Sequence, residues 1–137
     1  MIKKIIFILL VFIIGNFTVL MPAETLSIKS ENNTIPAKEL YNVFKNDSEG
    51  AETKYSNKRV TVTGIALKIG PDVYTFPSVE VSETKNGSAR VLCVLPYSDY
   101  LKLRKVYKGD LVTISGIVRR YSEKYDLVVM KECQIIE

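Results

Sequence analysis

The sequence predicts a mainly β domain: a small closed barrel of five strands in Greek-key order, with a helix between the third and fourth strands and a helical segment ahead of the first. Three observations predict it. Five β-rich runs, several alternating apolar and polar residues, follow one another between residues 58 and 136, interrupted by one helical period. Two of them, Val60-Thr61-Val62-Thr63-Gly64-Ile65 and Val112-Thr113-Ile114-Ser115-Gly116-Ile117, are near copies with glycine in the fifth position, the device by which a small barrel bends its strands. At 137 residues, 25% of them charged, the chain suits one compact domain rather than two and is neither disordered nor a polytopic membrane protein.

The first segment reads as an address. Met1-Ile2-Lys3-Lys4 and the apolar run from Ile5 to Ile14 form the basic n-region and ten-residue h-region of a secretory signal. The best break follows Ala23. An uncleaved anchor is the alternative, although residues 5–21 are at the lower limit for a spanning helix and Gly15, Asn16 and Thr18 weaken them. Residues 1–23 are therefore expected to be a signal peptide or N-terminal anchor, a cytoplasmic core helix being the remaining reading. Lys3 and Lys4 hold the short N-terminus inside, so the domain is expected to be exported: periplasmic, extracellular or tethered to the outer face of the cytoplasmic membrane. Membrane contact would run only through residues 1–23, if uncleaved. No cysteine lies near the h-region, which argues against a lipid-modified N-terminus. Residues 24–35, polar and without sustained period, read as a flexible tether, leaving 36–137 as the domain.

Within that domain, Ala37, Leu40, Tyr41 and Phe44 fall at i, i+3, i+4 and i+7, one stripe of a helix. Thr34 is its expected cap and Pro36 suits its first turn. Asp47 or Ser48 restarts a short turn of helix carrying Ala51 and Tyr55. The first strand runs from Lys58 through Ile69 to the break at Gly70-Pro71-Asp72. The second covers about 73–83, and Asn86-Gly87 marks a hairpin turn. Ala89 to Leu95 form the third strand, ending at Pro96. Ser98 is the expected cap of a helix over about 99–107, with Tyr100, Leu103 and Tyr107 facing inward to close one barrel end. Leu111 to Val118 form the fourth strand. The polar residues from Arg119 to Asp126 turn the chain into the fifth, Leu127 to about Ile136. This β-β-β-α-β-β order is that of the OB fold.

The run from Tyr41 to Ile136 resembles the tRNA-anti-like family of exported bacterial OB domains, mostly of unassigned function. Ala51 and Tyr55 ahead of Lys58-Arg59-Val60-Thr61-Val62-Thr63-Gly64, then Val91-Leu92-Cys93-Val94, carry the match. Lys108-Gly109-Asp110-Leu111-Val112-Thr113-Ile114-Ser115-Gly116 and Cys133-Gln134-Ile135-Ile136 complete it. These are structural motifs, so the resemblance implies the fold and carries little about activity.

Catalysis finds little support. His and Trp are absent, removing the commonest general base, and Glu80, Asp99, Asp110, Glu123 and Asp126 each have an ordinary capping or solvating position. No phosphate-cradling glycine loop, nucleophile elbow or zinc motif is present. Two thiols without His make an incomplete metal site, so neither metal nor cofactor is expected. Cys93 and Cys133 lie on the two strands that neighbour each other where such a barrel closes. Outside the cytoplasm that favours a disulfide, the alternative being two buried, reduced thiols.

Binding remains. OB barrels use the face of strands two and three, flanked by the loops joining strands one–two and four–five. Tyr74 and Phe76 occupy the first loop, and Arg119, Arg120, Tyr121 and Tyr125 the second, with Lys68 and Arg90 on the same side. Rings and cations together suit stacked bases and phosphates. The plainer reading is that the rings cover a barrel edge and the cations solvate a hairpin. The net charge is +4 and Lys3 and Lys4 carry two of it, too little to argue for nucleic acid alone. The expectation is thus a non-catalytic binding module for a protein or peptide of the cell envelope, with single-stranded nucleic acid or another anionic polymer as the alternative.

Overall fold

The computed structural model of the chain describes residues 34–136; the expected signal or anchor at 1–23 and residues 24–33 of the expected tether lie outside the described residues. The elements are β1 (Thr34–Pro36), α1 (Ala37–Asn46), α2 (Ser48–Tyr55), β2 (Arg59–Pro71), β3 (Pro77–Ser82), β4 (Arg90–Val94), a 3-10 helix (Tyr97–Lys105), β5 (Leu111–Ser122) and β6 (Leu127–Ile136). The sheet order is β1-β2-β3-β4-β6-β5, and an additional pairing of β2 with β5 closes it. Strands β2–β6 are the five expected from the sequence. β4 and β6 run parallel, while the other barrel neighbours are antiparallel. That is the Greek-key closure of an OB barrel.

The two near-copy segments turn out to be partners. β2 and β5 pair antiparallel with Val60 opposite Gly116 and Gly64 opposite Val112, so each glycine faces the first valine of the other copy. Both glycines serve close approach. A Cβ on Gly116 would stand 2.5 Å from Sγ of Cys133, and one on Gly64 would stand 2.6 Å from both the Ser82 carbonyl and Cγ1 of Val81.

Three bulges reverse strand parity: one at Leu67, where Ala66 faces Val81 and Lys68 faces Glu80, and two in the β5–β6 pairing. In the β5–β6 pairing, Ser115 faces Gln134 and Ile117 faces Lys131, so two residues, Glu132 and Cys133, oppose Gly116 alone. Glu132 adopts φ 51°. The extra residue turns Cys133 into the barrel, where simple alternation from buried Met130 would have pointed it out. Further along, Val118 faces Met130 and Arg120 faces Val129, which leaves Arg119 as the extra residue.

α1 closes one end. Its stripe of Ala37, Leu40, Tyr41 and Phe44 is buried, and the helix contacts β2, β3, β4 and β6. Burying a side chain such as Leu40 or Phe44 stabilises by roughly 1.5–3 kcal/mol. Thr34 does not cap it. Thr34 and Ile35, read in sequence as the end of the tether, are held in β1 opposite Thr61 and Val62. Pro36 stands at the cap position without a side-chain hydrogen bond. α2 has the cap expected of it, the Asp47 carboxylate accepting from the Gly50 amide at 3.0 Å.

The expected stopper helix differs. Tyr97–Lys105 is a 3-10 helix preceded by Pro96 rather than an α-helix capped by Ser98. Its three-residue turn brings Tyr97, Tyr100 and Leu103 onto one edge, and of these only Leu103 is buried. Tyr100 is 55% exposed and Tyr107 68%, so neither faces inward. The fourth strand, expected to end at Val118, continues to Ser122, because Arg120, Tyr121 and Ser122 pair with Val129, Val128 and Leu127 of β6. Arg119, Arg120 and Tyr121 therefore belong to a strand, not a turn. Asn86-Gly87 lies in a longer connection between β3 and β4, whose turn is closed by the Gly87 amide on the Thr84 carbonyl at 3.1 Å.

Candidate functional site

One wide groove of about 970 Å³ opens on the outer face of the barrel. Alternation builds it: Val79, Val81, Val91, Cys93, Val128 and Met130 point into the core, which sends Ser78, Glu80, Arg90, Leu92, Val94, Leu127, Val129 and Lys131 outward into the groove. Register then fixes the chemistry. Lys68 pairs with Glu80, Glu80 with Leu92, Leu92 with Val129, and Val129 with Arg120. A single row thus crosses all five barrel strands with a cation at each end and an apolar centre. A second row joins Arg90, Leu127 and Ser122.

The two loops expected to flank this face form its walls. In the β2–β3 loop, Asp72 accepts from the Tyr74 amide at 2.9 Å and the Phe76 amide at 2.8 Å, folding the loop back on itself and presenting Tyr74 at 68% exposure. In the β5–β6 turn, Lys124 lies over the ring of Tyr125 at 5.2 Å, and both line the groove.

Six cationic side chains and two carboxylates line the groove, an excess that the charge of the whole chain conceals. Some cations are engaged: Arg90 pairs with Glu80 at 3.6 Å and donates to the Tyr125 carbonyl. Arg119 donates to Asn57 at 2.8 Å and meets Glu132 at 4.0 Å. Lys68, Arg120 and Lys131 have no ion-pair partner among the described residues, so their charge is open to a ligand.

Of the eight residues expected at the site, the structure gathers six: Lys68, Tyr74, Arg90, Arg119, Arg120 and Tyr125. Phe76 and Tyr121 do not join them. The Phe76 ring packs on Tyr97 with centroids 4.5 Å apart, so it buttresses the loop. The bulge at Arg119 turns Tyr121 to the other side, where it meets Tyr41 edge-on at 6.2 Å. Sequence reading missed the apolar centre, Leu92 and Val129, and the cation Lys131. Their shared parity with Arg90 and Leu127 was the available signal.

Behind the β5–β6 turn lies a polar cluster. Asp126 Oδ1 accepts from the Tyr41 hydroxyl at 2.7 Å, from Lys45 Nζ at 3.0 Å, and from the Tyr121 hydroxyl. Tyr121, Tyr41 and Lys45 hold the Asp126 carboxyl well below the usual carboxylate range. The cluster's contribution to stability is therefore present above the ordinary carboxylate pKa of about 3.9 and is lost only as pH falls through the lower folded value.

Cys93 and Cys133 are fully buried and are thiols in this structure. They lie together: contact with Cys133, reinforced by burial, pushes the Cys93 thiol well up. Among the described residues no three ligating side chains cluster, and no helix is long and apolar enough to cross a membrane.

The tRNA_anti-like family model matches residues 1–134. A Klebsiella pneumoniae protein named a "putative nucleic acid-binding lipoprotein" has a similar structure, with TM-score 0.62 and 16% identity over 76% of this chain and 91% of that one. A "putative aspartyl-tRNA synthetase" from Leishmania major is similar at TM-score 0.51 and 8% identity, over 80% of this chain and 22% of that one. At these identities the likeness shows the fold alone. Among curated proteins, none matches the chain.

Proposed function

The chain belongs to the tRNA_anti-like family, and from that premise we propose that its OB barrel is a non-catalytic module that holds a single-stranded nucleic acid in the groove. The observation that carries this reading is the row Lys68–Glu80–Leu92–Val129–Arg120, with Tyr74 and Tyr125 exposed on the walls. Bases have apolar and aromatic faces to rest on, while phosphates find Lys68, Arg120 and Lys131 along the rim. A duplex would have to break its pairs to present its bases, whereas a single strand has only its own stacking to give up.

An envelope protein or peptide, the partner expected first from the near-neutral charge of the chain, fits this groove less well. Six cations against two carboxylates would ask for an acidic partner, and exposed tyrosines flanking open cations favour planar, phosphate-bearing ligands. We propose the outer side of the cytoplasmic membrane as the domain's location. The basic start and apolar run at residues 1–14 support that location.

The test is fluorescence anisotropy of the full chain with a labelled single strand of about 12 nucleotides, within the range of sites OB folds use. Affinity is expected to fall steeply with salt. Replacing Lys68, Arg120 and Lys131 together by Ala lowers the slope of log K against log salt by about 2, at roughly 0.7 for each phosphate contact to a single strand. Tyr74→Ala weakens binding by about 1–3 kcal/mol, the loss of one stacked base, without changing that slope. No retention of the strand at low salt overturns the proposal.

A further inference from the structure

We infer that Asp126 is a positioning residue: it clamps the β5–β6 turn to helix α1 and so fixes one wall of the groove, and the effect on ligand rests on the nucleic-acid reading above. Asp126 does not line the groove, but the two residues before it, Lys124 and Tyr125, do. The turn is pinned at two successive positions. The Tyr125 carbonyl accepts from the Arg90 guanidinium, which ties it to β4. The Asp126 carboxylate accepts from Tyr41 and Lys45, both on α1, more than 80 residues earlier in the chain.

The backbone marks the same place. Asp126 has φ 52°, the left-handed region that Asp and Asn tolerate and most residues avoid. A residue held there reverses the chain sharply, and the reversal presents the Tyr125 ring and Lys124 to the groove. Lys45 also reaches the Tyr121 hydroxyl at 3.2 Å and stands 5.7 Å from the Tyr121 ring, so cation, hydroxyls and carboxylate form one unit. Its second effect is electrostatic. An acid beside a phosphate-binding wall would repel the ligand, but here its charge is offset by Lys45, directed away from the groove.

Because the clamp joins α1 to the wall, the two are linked reciprocally. A strand bound against Tyr125 tightens the hold on α1, and loosening α1 frees the wall.

Two substitutions in the full chain separate this from a general packing role. Asp126→Asn keeps the left-handed backbone and one acceptor oxygen but removes the charge; Tyr41→Phe keeps the buried ring and removes the hydroxyl. Hydrogen–deuterium exchange of residues 123–126 without ligand is expected to speed up at least about fivefold in each, the lower end of typical couplings between sites. Oligonucleotide affinity falls by a comparable factor, while the thermal midpoint and the salt slope stay near those of the unsubstituted chain. Unchanged exchange in both variants overturns the clamp, and faster exchange with undiminished affinity overturns its positioning role. If the unsubstituted chain binds no strand, the function proposed above fails and the exchange measurement alone decides the clamp.

Discussion

Phe44→Ala is expected to lower the stability of the domain by about 3–5 kcal/mol, whereas Tyr100→Ala changes it by no more than about 0.5 kcal/mol. The contrast follows from which helix closes the barrel. Phe44 is 1% exposed and sits in the stripe of α1 that also buries Ala37, Leu40 and Tyr41. Its ring lies 6.4 Å from that of Tyr55, so it also fastens α2. Removing it leaves a cavity walled by strands that cannot close in, since a barrel fixes its own diameter through strand number and stagger. Tyr100, on the 3-10 helix, is mostly in water, and its loss forfeits little buried area. Urea denaturation monitored by circular dichroism measures both. A Phe44→Ala loss below about 1 kcal/mol, typical of ordinary substitutions, would remove α1 from the role of stopper.

How much was legible in the sequence follows from how local each signal is. The break at Gly116 and the stripe from Ala37 to Phe44 depend on residues a few positions apart and appear where expected, whereas the irregularity expected at Gly64 falls at Leu67. The placement of Tyr74, Arg90 and Tyr125 around one groove followed from the order of the strands, which the OB topology fixes, while Lys68 joins them because the extra residue Leu67 turns it outward. Features that depend on a partner strand were not legible. Tyr121 faces Tyr41 instead of the groove because Arg119 is an extra residue relative to β6, and nothing in Arg119-Arg120-Tyr121 announces that. Three residues, Thr34–Pro36, became a strand because the β2 edge at Thr61–Thr63 was open to them. The 3-10 helix was hidden for a different reason. Tyr100, Leu103 and Tyr107 fit an α-helical period, but in a three-residue turn only Leu103 of them faces in.

Oxidative refolding is expected to join Cys93 to Cys133 and to raise stability by roughly 3–4 kcal/mol, the chain-entropy value for closing a loop of about 40 residues. Both sulfurs are already in the barrel and in contact, brought there by the bulge at Glu132 and by the absence of a side chain on Gly116. Two thiols give up two protons and two electrons to glutathione disulfide, which leaves as two glutathione thiols. The reaction belongs to the unfolded or folding chain. Once the barrel has closed, burial and the neighbouring sulfur suppress the Cys93 thiolate that would attack. The folded, reduced protein should therefore resist oxidation, and the oxidised protein should resist reduction, until either unfolds. Mass spectrometry after denaturation in an alkylating agent distinguishes the forms, and thermal melts of each measure the gain. Two alkylated cysteines after refolding in glutathione disulfide would show that the thiols pack as small apolar side chains and nothing more. Gly116→Ala supplies an independent check. Its Cβ would crowd Sγ of Cys133, costing about 1–3 kcal/mol as overpacking does, and Cys133→Ala in the same chain should relieve most of that cost because it removes the atom in the way.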